Sequence, residues 1–173
     1  MTSRFSSICL GSFLLILLLL LAAPVFSASP PGFKSSKAPI DITADRLDID
    51  QKKGEAVFRG KVFARQDKMT LSTDTMTVIF TEKDNEVKEI IAAGSVIINL
   101  DKKKATCATA HFYTSDNKVV LTGKPQLREG KNIIEGEKII FFLNEERSIV
   151  EGKKNSRVKT TIFPGQKGLF KNK

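Results

Sequence analysis

From Pro39 to about residue 162 the chain alternates apolar and polar residues in short runs. No stretch of ten or more residues there carries the i, i+3, i+4, i+7 spacing of an amphipathic helix. A period of two predicts strands at 39–43, 45–50, 55–65, 69–81, 87–100, 105–114, 118–128 and 132–143, with a less regular one over 147–162. Polar turn segments divide them: QKKG at 51–54, EKDN at 82–85, DKKK at 101–104, SDNK at 115–118, REGKN at 128–132 and NEER at 144–147. A glycine follows an apolar run four times, at Gly60, Gly94, Gly123 and Gly152, with separations of 34, 29 and 29 residues. The spacing predicts a strand-turn-strand unit repeated about four times. A glycine at the same point of each unit predicts a bulge that bends every strand in one place.

Because strand side chains alternate between faces, parity selects an interior. Ile40 and Ile42 share a face, as do Leu47 and Ile49, followed by Ala56, Phe58 and Val62, then Leu71, Met76, Val78 and Phe80. The series continues through Ile90, Ala92, Val96, Ile98 and Leu100 to Phe112, Val119, Leu121, Leu127, Ile139, Phe141 and Leu143. One apolar face thus runs the length of the chain. Folded on itself it makes an all-β antiparallel sandwich or jelly roll whose two ends are edge strands.

Ahead of this domain, Arg4 precedes the apolar run Phe13–Ala23, and Val25 and Ser27 supply small residues for cleavage. Residues 1–27 are expected to be a secretory signal peptide. The alternative is a retained membrane anchor over residues 8–26, whose length approaches the roughly 20 residues of a span. Residues 28–38 form a Ser/Pro/Lys-rich flexible leader, 39–163 the domain, and 164–173 a basic flexible tail. Removal of the signal takes Cys9 with it and leaves Cys107 alone, so no internal disulfide is expected even in an oxidising compartment. The formal charge of +9 falls to +8 without Arg4, with the excess lysines mostly in turns and tail. In an exported protein that balance favours anionic glycolipid, membrane surface or acidic polysaccharide. Nucleic acid is not an expected partner, since no stacking platform or groove-reading element is visible.

Catalytic constellations are not found in the sequence. His111 stands alone without metal-ligand spacing, and no GxSxG, CxxC, P-loop or GxGxxG occurs. Asp41, Asp45, Asp48 and Asp50 alternate with apolar residues, as a solvated strand face does, and lack calcium-loop geometry. No enzyme, metal or cofactor is therefore expected, and no catalytic residue is named.

The segments PIDITADRLDID at 39–50, GEAVFRGKVFARQ at 54–66, MTLSTDTMTVIF at 69–80 and VKEIIAAGSVII at 87–98 carry a resemblance. So do ATAHFYTSDNKVVLTGKPQL at 108–127 and IIEGEKIIFFL at 133–143. Their order and spacing, over Pro39 to about Phe163, resemble the OstA-like family. The resemblance implies a twisted, partly open β-jelly roll whose apolar interior accommodates the acyl chains of lipid A, hence a lipopolysaccharide ligand and a periplasmic location. It also implies edge-strand pairing with an inner-membrane-anchored transport partner at one end and an outer-membrane translocon at the other, with further copies stacking head to tail. In one respect the chain departs from the family. The usual Asn after the unit glycine is here Lys61, Ser95, Lys124 and Lys153.

By the resemblance, Ile40 and Ile42 match the first-strand isoleucines that line the family's lipid path. Parity adds Phe58, Val62, Leu71, Met76, Val78, Ile98, Phe112, Leu121, Ile139 and Phe141 as candidate acyl-chain contacts. For each of these, plain core packing is the alternative. Two other readings stay open: an inner-membrane-anchored member of the same superfamily, and a structural β-module that binds anionic polysaccharide through its lysine-rich turns around a closed core.

Overall fold

The structure, a computed structural model, describes residues 38–83, 86–145, 147–153, 155 and 157–164. The expected signal peptide lies outside them, as do all but the ends of the leader and the tail. Among the described residues there are twelve strands and no helix. They are β1 (Asp41–Thr43), β2 (Arg46–Asp50), β3 (Glu55–Gln66), β4 (Met69–Phe80), β5 (Val87–Leu100) and β6 (Lys103–Tyr113). There follow β7 (Lys118–Thr122), β8 (Gln126–Glu129), β9 (Asn132–Glu135), β10 (Lys138–Phe142), β11 (Arg147–Glu151) and β12 (Lys159–Thr161). The all-β expectation holds, and the predicted strand positions are met within a few residues.

The pairing is antiparallel throughout and separates into two layers. In sheet I, β2 pairs with Glu55–Arg59 of β3, which pairs with Thr75–Ile79 of β4, and so on through the first half of β5, the second half of β6, then β7, β10 and β11. In sheet II, β1 pairs with Phe63–Arg65 of β3, and the ladder passes through the other halves of β4, β5 and β6 to β8, β9 and β12. The four long strands β3 to β6 therefore belong to both sheets, and a crease crosses each of them.

The crease is made by the glycines, but three of them rather than four. Pairing skips Gly60 and Lys61 in β3 and Gly94 and Ser95 in β5, where the register shifts. At Gly123, φ is +77° and the next residue, Lys124, is at +58°, so two consecutive residues sit in the left-handed region that turns a chain sharply. Gly60–Lys61 and Gly94–Ser95 have the same geometry. Opposite each glycine lies Asp45 between β1 and β2, Asp74 in β4 or Ala108 in β6. The backbone N–H of Asp45 donates to the Gly60 carbonyl at 2.9 Å, and that of Ala108 to the Gly123 carbonyl at 3.1 Å. Thr73, buried at the crease, donates its hydroxyl to the Ala93 carbonyl at 2.8 Å, satisfying a group that the bulge takes out of the ladder.

Gly152 does not act in this way. The fourth corner pairs the Glu137 N–H with the Glu151 carbonyl at 2.8 Å, and Gly152 lies one residue past the end of β11. The reason is topological: β11 is the last strand of sheet I, and the chain reaches sheet II only at β12, from Lys159, so the crossing is made by a connection between two strands and not by a bulge within one. The three last predicted strands likewise break where the earlier ones bend. Residues 118–128 divide into β7 and β8 at Gly123–Pro125, where Pro125 has no N–H for a ladder. Residues 132–143 divide into β9 and β10 at Gly136, and 147–162 into β11 and β12. In every case one piece goes to each sheet.

Between the sheets lie two clusters of buried side chains. The larger joins Ala92, Val96, Ala105, Cys107, Ala110, Leu121, Leu127, Ile139, Phe141 and Leu143; the smaller, nearer β1, joins Val62, Ala64 and Met76. Leu47 and Ile49, expected inside, are 47% and 65% exposed. They carry the interior parity of β2, but β2 is the edge strand of sheet I, and no described residue packs over them closely enough to bury them.

Candidate functional site

Strand parity aims two rows of side chains at each other across the interior. Sheet II contributes Ile42, Ala64, Leu71, Ile98, Ala105 and Leu127, successive partners across six strands. Sheet I contributes Met76, Ala92, Ala110 and Leu121 in one row and Ile90, Phe112, Val119 and Phe141 in the next. Four alanines in facing rows are too short to meet. They leave an apolar cavity of about 300 Å³, at the small end of the range for ligand pockets. Its lining is almost entirely hydrocarbon, with Arg65 and Gln66 at the end of β3 and Thr114 after β6 as its polar members. These three sit where the strands run out into turns, away from the crease. The groove is thus closed along the crease and polar along the opposite rim.

Of the twelve candidate residues, Ile40, Ile42, Leu71, Met76, Ile98, Phe112, Leu121 and Phe141 line the cavity. The other four do not. Val62 is buried beside the first bulge, Ile139 is fully buried in the larger core cluster, and Val78 is buried in β4. Phe58 packs against the smaller cluster around Val62 and Met76. Parity reasoning passed over Ala64, Ala105 and Ala110 and read Ala92 only as core. The signal was available as small residues at interior parity in adjacent strands. These rows leave a cavity between the sheets.

The isolated chemical groups have structural partners. His111 Nε2 lies 2.8 Å from Glu89 Oε2 and its ring stacks on Tyr113 with centroids 4.0 Å apart, on the outer face of sheet I. Cys107 is buried, and burial pushes its thiol up to about 11, which keeps it protonated and unreactive at neutral pH. Asp48 accepts from both Arg46 and Arg59, and the Arg46 hydrogen bond holds its carboxyl below the usual range. Among the described residues no group of three or more His, Cys, Asp or Glu is placed to hold a metal ion. Nor is any helix there long and apolar enough to cross a membrane.

Together these features define a creased antiparallel β-jelly roll with an apolar groove between its two layers. The chain belongs to the LptA/(LptD N-terminal domain) LPS transport protein family, whose pattern matches residues 41–147. It is 29% identical over 119 residues to the lipopolysaccharide export system protein LptH of Pseudomonas aeruginosa, covering 65% of this chain and 66% of that protein. To the lipopolysaccharide export system protein LptA of Escherichia coli K12 it is 26% identical over 157 residues, covering 86% and 85%. The LPS-assembly protein LptD of Aeromonas hydrophila matches 83% of this chain at 26% identity, with only 17% of its own length involved. The fold is that of the crystal structure of LptH, the LptA-homologous periplasmic component of the lipopolysaccharide transport device of P. aeruginosa. That comparison gives a TM-score of 0.66 and 23% identity over 78% of this chain and 100% of that one.

Proposed function

We propose that the protein is a periplasmic lipopolysaccharide-binding bridge, exported by a signal peptide cleaved near Ser27. In this reading it carries lipopolysaccharide from an inner-membrane complex to an outer-membrane translocon. The observation that carries the reading is the alanine-spaced apolar groove between the two sheets, in a chain of an LPS transport family. Acyl chains lie in the groove, each buried methylene contributing about 0.8 kcal/mol, while sugars and phosphates stay in water at the rim. The groove has no group placed for chemistry, so the role is passive and directional flow is driven by a partner.

Two further features support a bridge. Strand order follows chain order, so β1 and β2 lie at one end of the sheets and β11 and β12 at the other. Among the described residues no further strand pairs with the outer side of either end, which leaves backbone N–H and C=O groups suited to strand addition by a partner or a second copy. Exposed Leu47 and Ile49 at the first end, with Val158, Ile162 and Phe163 near the second, add apolar surface for such contacts. A photo-crosslinking residue at Ile42, which lines the groove, should capture lipopolysaccharide, and one at Asp41, which points outward, should not. Capture at position 41 but not 42 refutes the interior path.

A further inference from the structure

Charges that face each other directly across an antiparallel ladder are usually of opposite sign, because like charges there repel. The chain follows this at Asp41 with Arg65, Lys103 with Glu129, Lys138 with Glu151 and Lys159 with Glu135. Three like-charged pairs break the rule, and two of them carry their own remedy. Arg46 faces Arg59, and the Asp48 carboxylate lies between them, bonded to both. Asp50 faces Glu55, and Asp50 is held by the backbone N–H groups of Lys52 and Lys53 and by the Lys53 ammonium. The third pair, Lys104 facing Arg128 on β6 and β8, has no such counter-group. No described carboxylate lies within ion-pair distance of either side chain.

Both side chains point outward. Their neighbours Ala105 and Leu127 are buried in the core, while Lys104 and Arg128 are exposed. They stand about two residues, roughly 7 Å, from the β5–β6 and β8–β9 turns that form the sheet II rim of the groove. The first of these turns adds Lys102 next to Asp101, which pairs with Lys68 Nζ at 3.9 Å, and the second adds Lys131 near Glu129, which faces Lys103. On the opposite rim the turn charges cancel locally, as Lys53 with Asp50, Lys118 with Asp116 and Arg147 with Glu145. After such local pairing, Lys104 and Arg128 with Lys102 remain as an uncompensated cluster of cations beside the sheet II rim among the described residues.

We propose that Lys104 and Arg128, with Lys102 beside them, form a binding site for a phosphate-class anion, filled from outside by the group that Asp48 supplies internally to Arg46 and Arg59. Arg128 offers a planar fork of donors and Lys104 a second cation, a pairing suited to a phosphate monoester. Resting on the lipid-carrying reading above, the anion is a phosphate of the lipid headgroup whose chains enter the groove. The headgroup then folds over the sheet II rim, giving the bound lipid one orientation across the cleft.

The test uses the mature protein, a Lys104→Gln/Arg128→Gln variant, and three probes: diphosphoryl lipid A, neutral dodecyl maltoside and inorganic pyrophosphate. Neutralising the pair removes a repulsion, so the variant should fold at least as stably as its parent. Its affinity for diphosphoryl lipid A should fall roughly tenfold or more, with a shallower salt dependence, while dodecyl maltoside binds unchanged. Arg128→Lys, which keeps the charge but loses the fork, should bind between the parent and the double variant while keeping the parent's salt dependence. Equal affinity and equal salt dependence in parent and variant overturn the site and leave the groove reading intact. If neither lipid binds the parent, the groove reading fails. The site then stands only if pyrophosphate raises the parent's thermal midpoint and not the variant's, which would assign it to free phosphate.

Discussion

Replacing Gly123 by alanine should disrupt the crease in a way that can be divided into two measurable parts. The first is backbone: φ is +77°, and an alanine held in the left-handed region costs about 1–2 kcal/mol. The second is contact. An added Cβ would overlap the Ala108 Cβ and lie 3.3 Å from the Ala108 nitrogen and 3.4 Å from its Cα, all atoms fixed to the β6 backbone. Overpacking with no rotamer to relieve it costs about 1–3 kcal/mol. The sum is about 2–5 kcal/mol, measurable by urea denaturation followed by far-UV circular dichroism, since the chain has no tryptophan and one tyrosine. Adding Ala108→Gly removes the opposing methyl. The double variant should therefore recover the contact part, a coupling of about 1–3 kcal/mol. Gly60→Ala is a graded comparison, because the nearest atoms it would meet, the Asp45 carboxylate, can swing aside, whereas the Asp45 Cβ at 3.0 Å is fixed to its backbone. Its contact part should be smaller than that at Gly123 but not absent. If the two substitutions at 123 and 108 are additive within about 0.5 kcal/mol, close approach of the strands is not what requires glycine at the crease.

Lys61 and Lys124 occupy the second left-handed position of their bulges, with φ of +46° and +58°, so Lys61→Asn and Lys124→Asn should each raise stability by up to about 1 kcal/mol, read as a higher urea midpoint. Burial raises the Cys107 thiol to about 11. The unfolded chain thus loses its thiol proton at lower pH than the folded one, and stability from this group is complete below about pH 8.5 and lost as pH climbs towards 11. At pH 8, native protein should react with a maleimide far more slowly than protein in urea, and equal rates would contradict the burial. In β11, neighbouring N–H groups point alternately towards β10 and outward. Of Ser148→Pro and Ile149→Pro, one should therefore lower stability, and the other should stay folded but lose end-to-end association. If the folded one sediments like its parent at high concentration, edge pairing through β11 is wrong.

Strand positions and the crease were legible because both follow from local chemistry: alternation sets the strands, and glycine marks places where two left-handed residues are needed. Gly152 was misread because spacing alone cannot tell a strand that bends from one that ends. The departure at Lys61 and Lys124 also has a physical meaning once the structure is known, since asparagine tolerates the left-handed conformation better than lysine does. The groove was half legible. Parity placed Ile42, Leu71 and Phe112 correctly on the interior, but it ranks residues by size, and a cavity is made by the small ones. Ala64, Ala92, Ala105 and Ala110 define it, yet each looks unremarkable until its cross-strand partners are known. Ile49 shows the converse limit. Its parity was right, but exposure depends on whether a further strand lies beyond it.

The crease also sets how the molecule responds to force. Because strand order follows chain order, β1 and β12 lie at opposite ends of the ladder, separated by seven strand spacings or roughly 33 Å. Tension between those ends runs along the inter-strand hydrogen bonds, so it loads one pair of strands at a time, as in opening a zipper, and never the whole sheet in parallel. The four creased strands resist this better than the short ones, since opening one requires peeling it from both layers together. The weakest links are accordingly the short outer strands, β1 and β2 at one end and β11 and β12 at the other. An assembly joined through them would yield at its joints and leave each grooved centre intact.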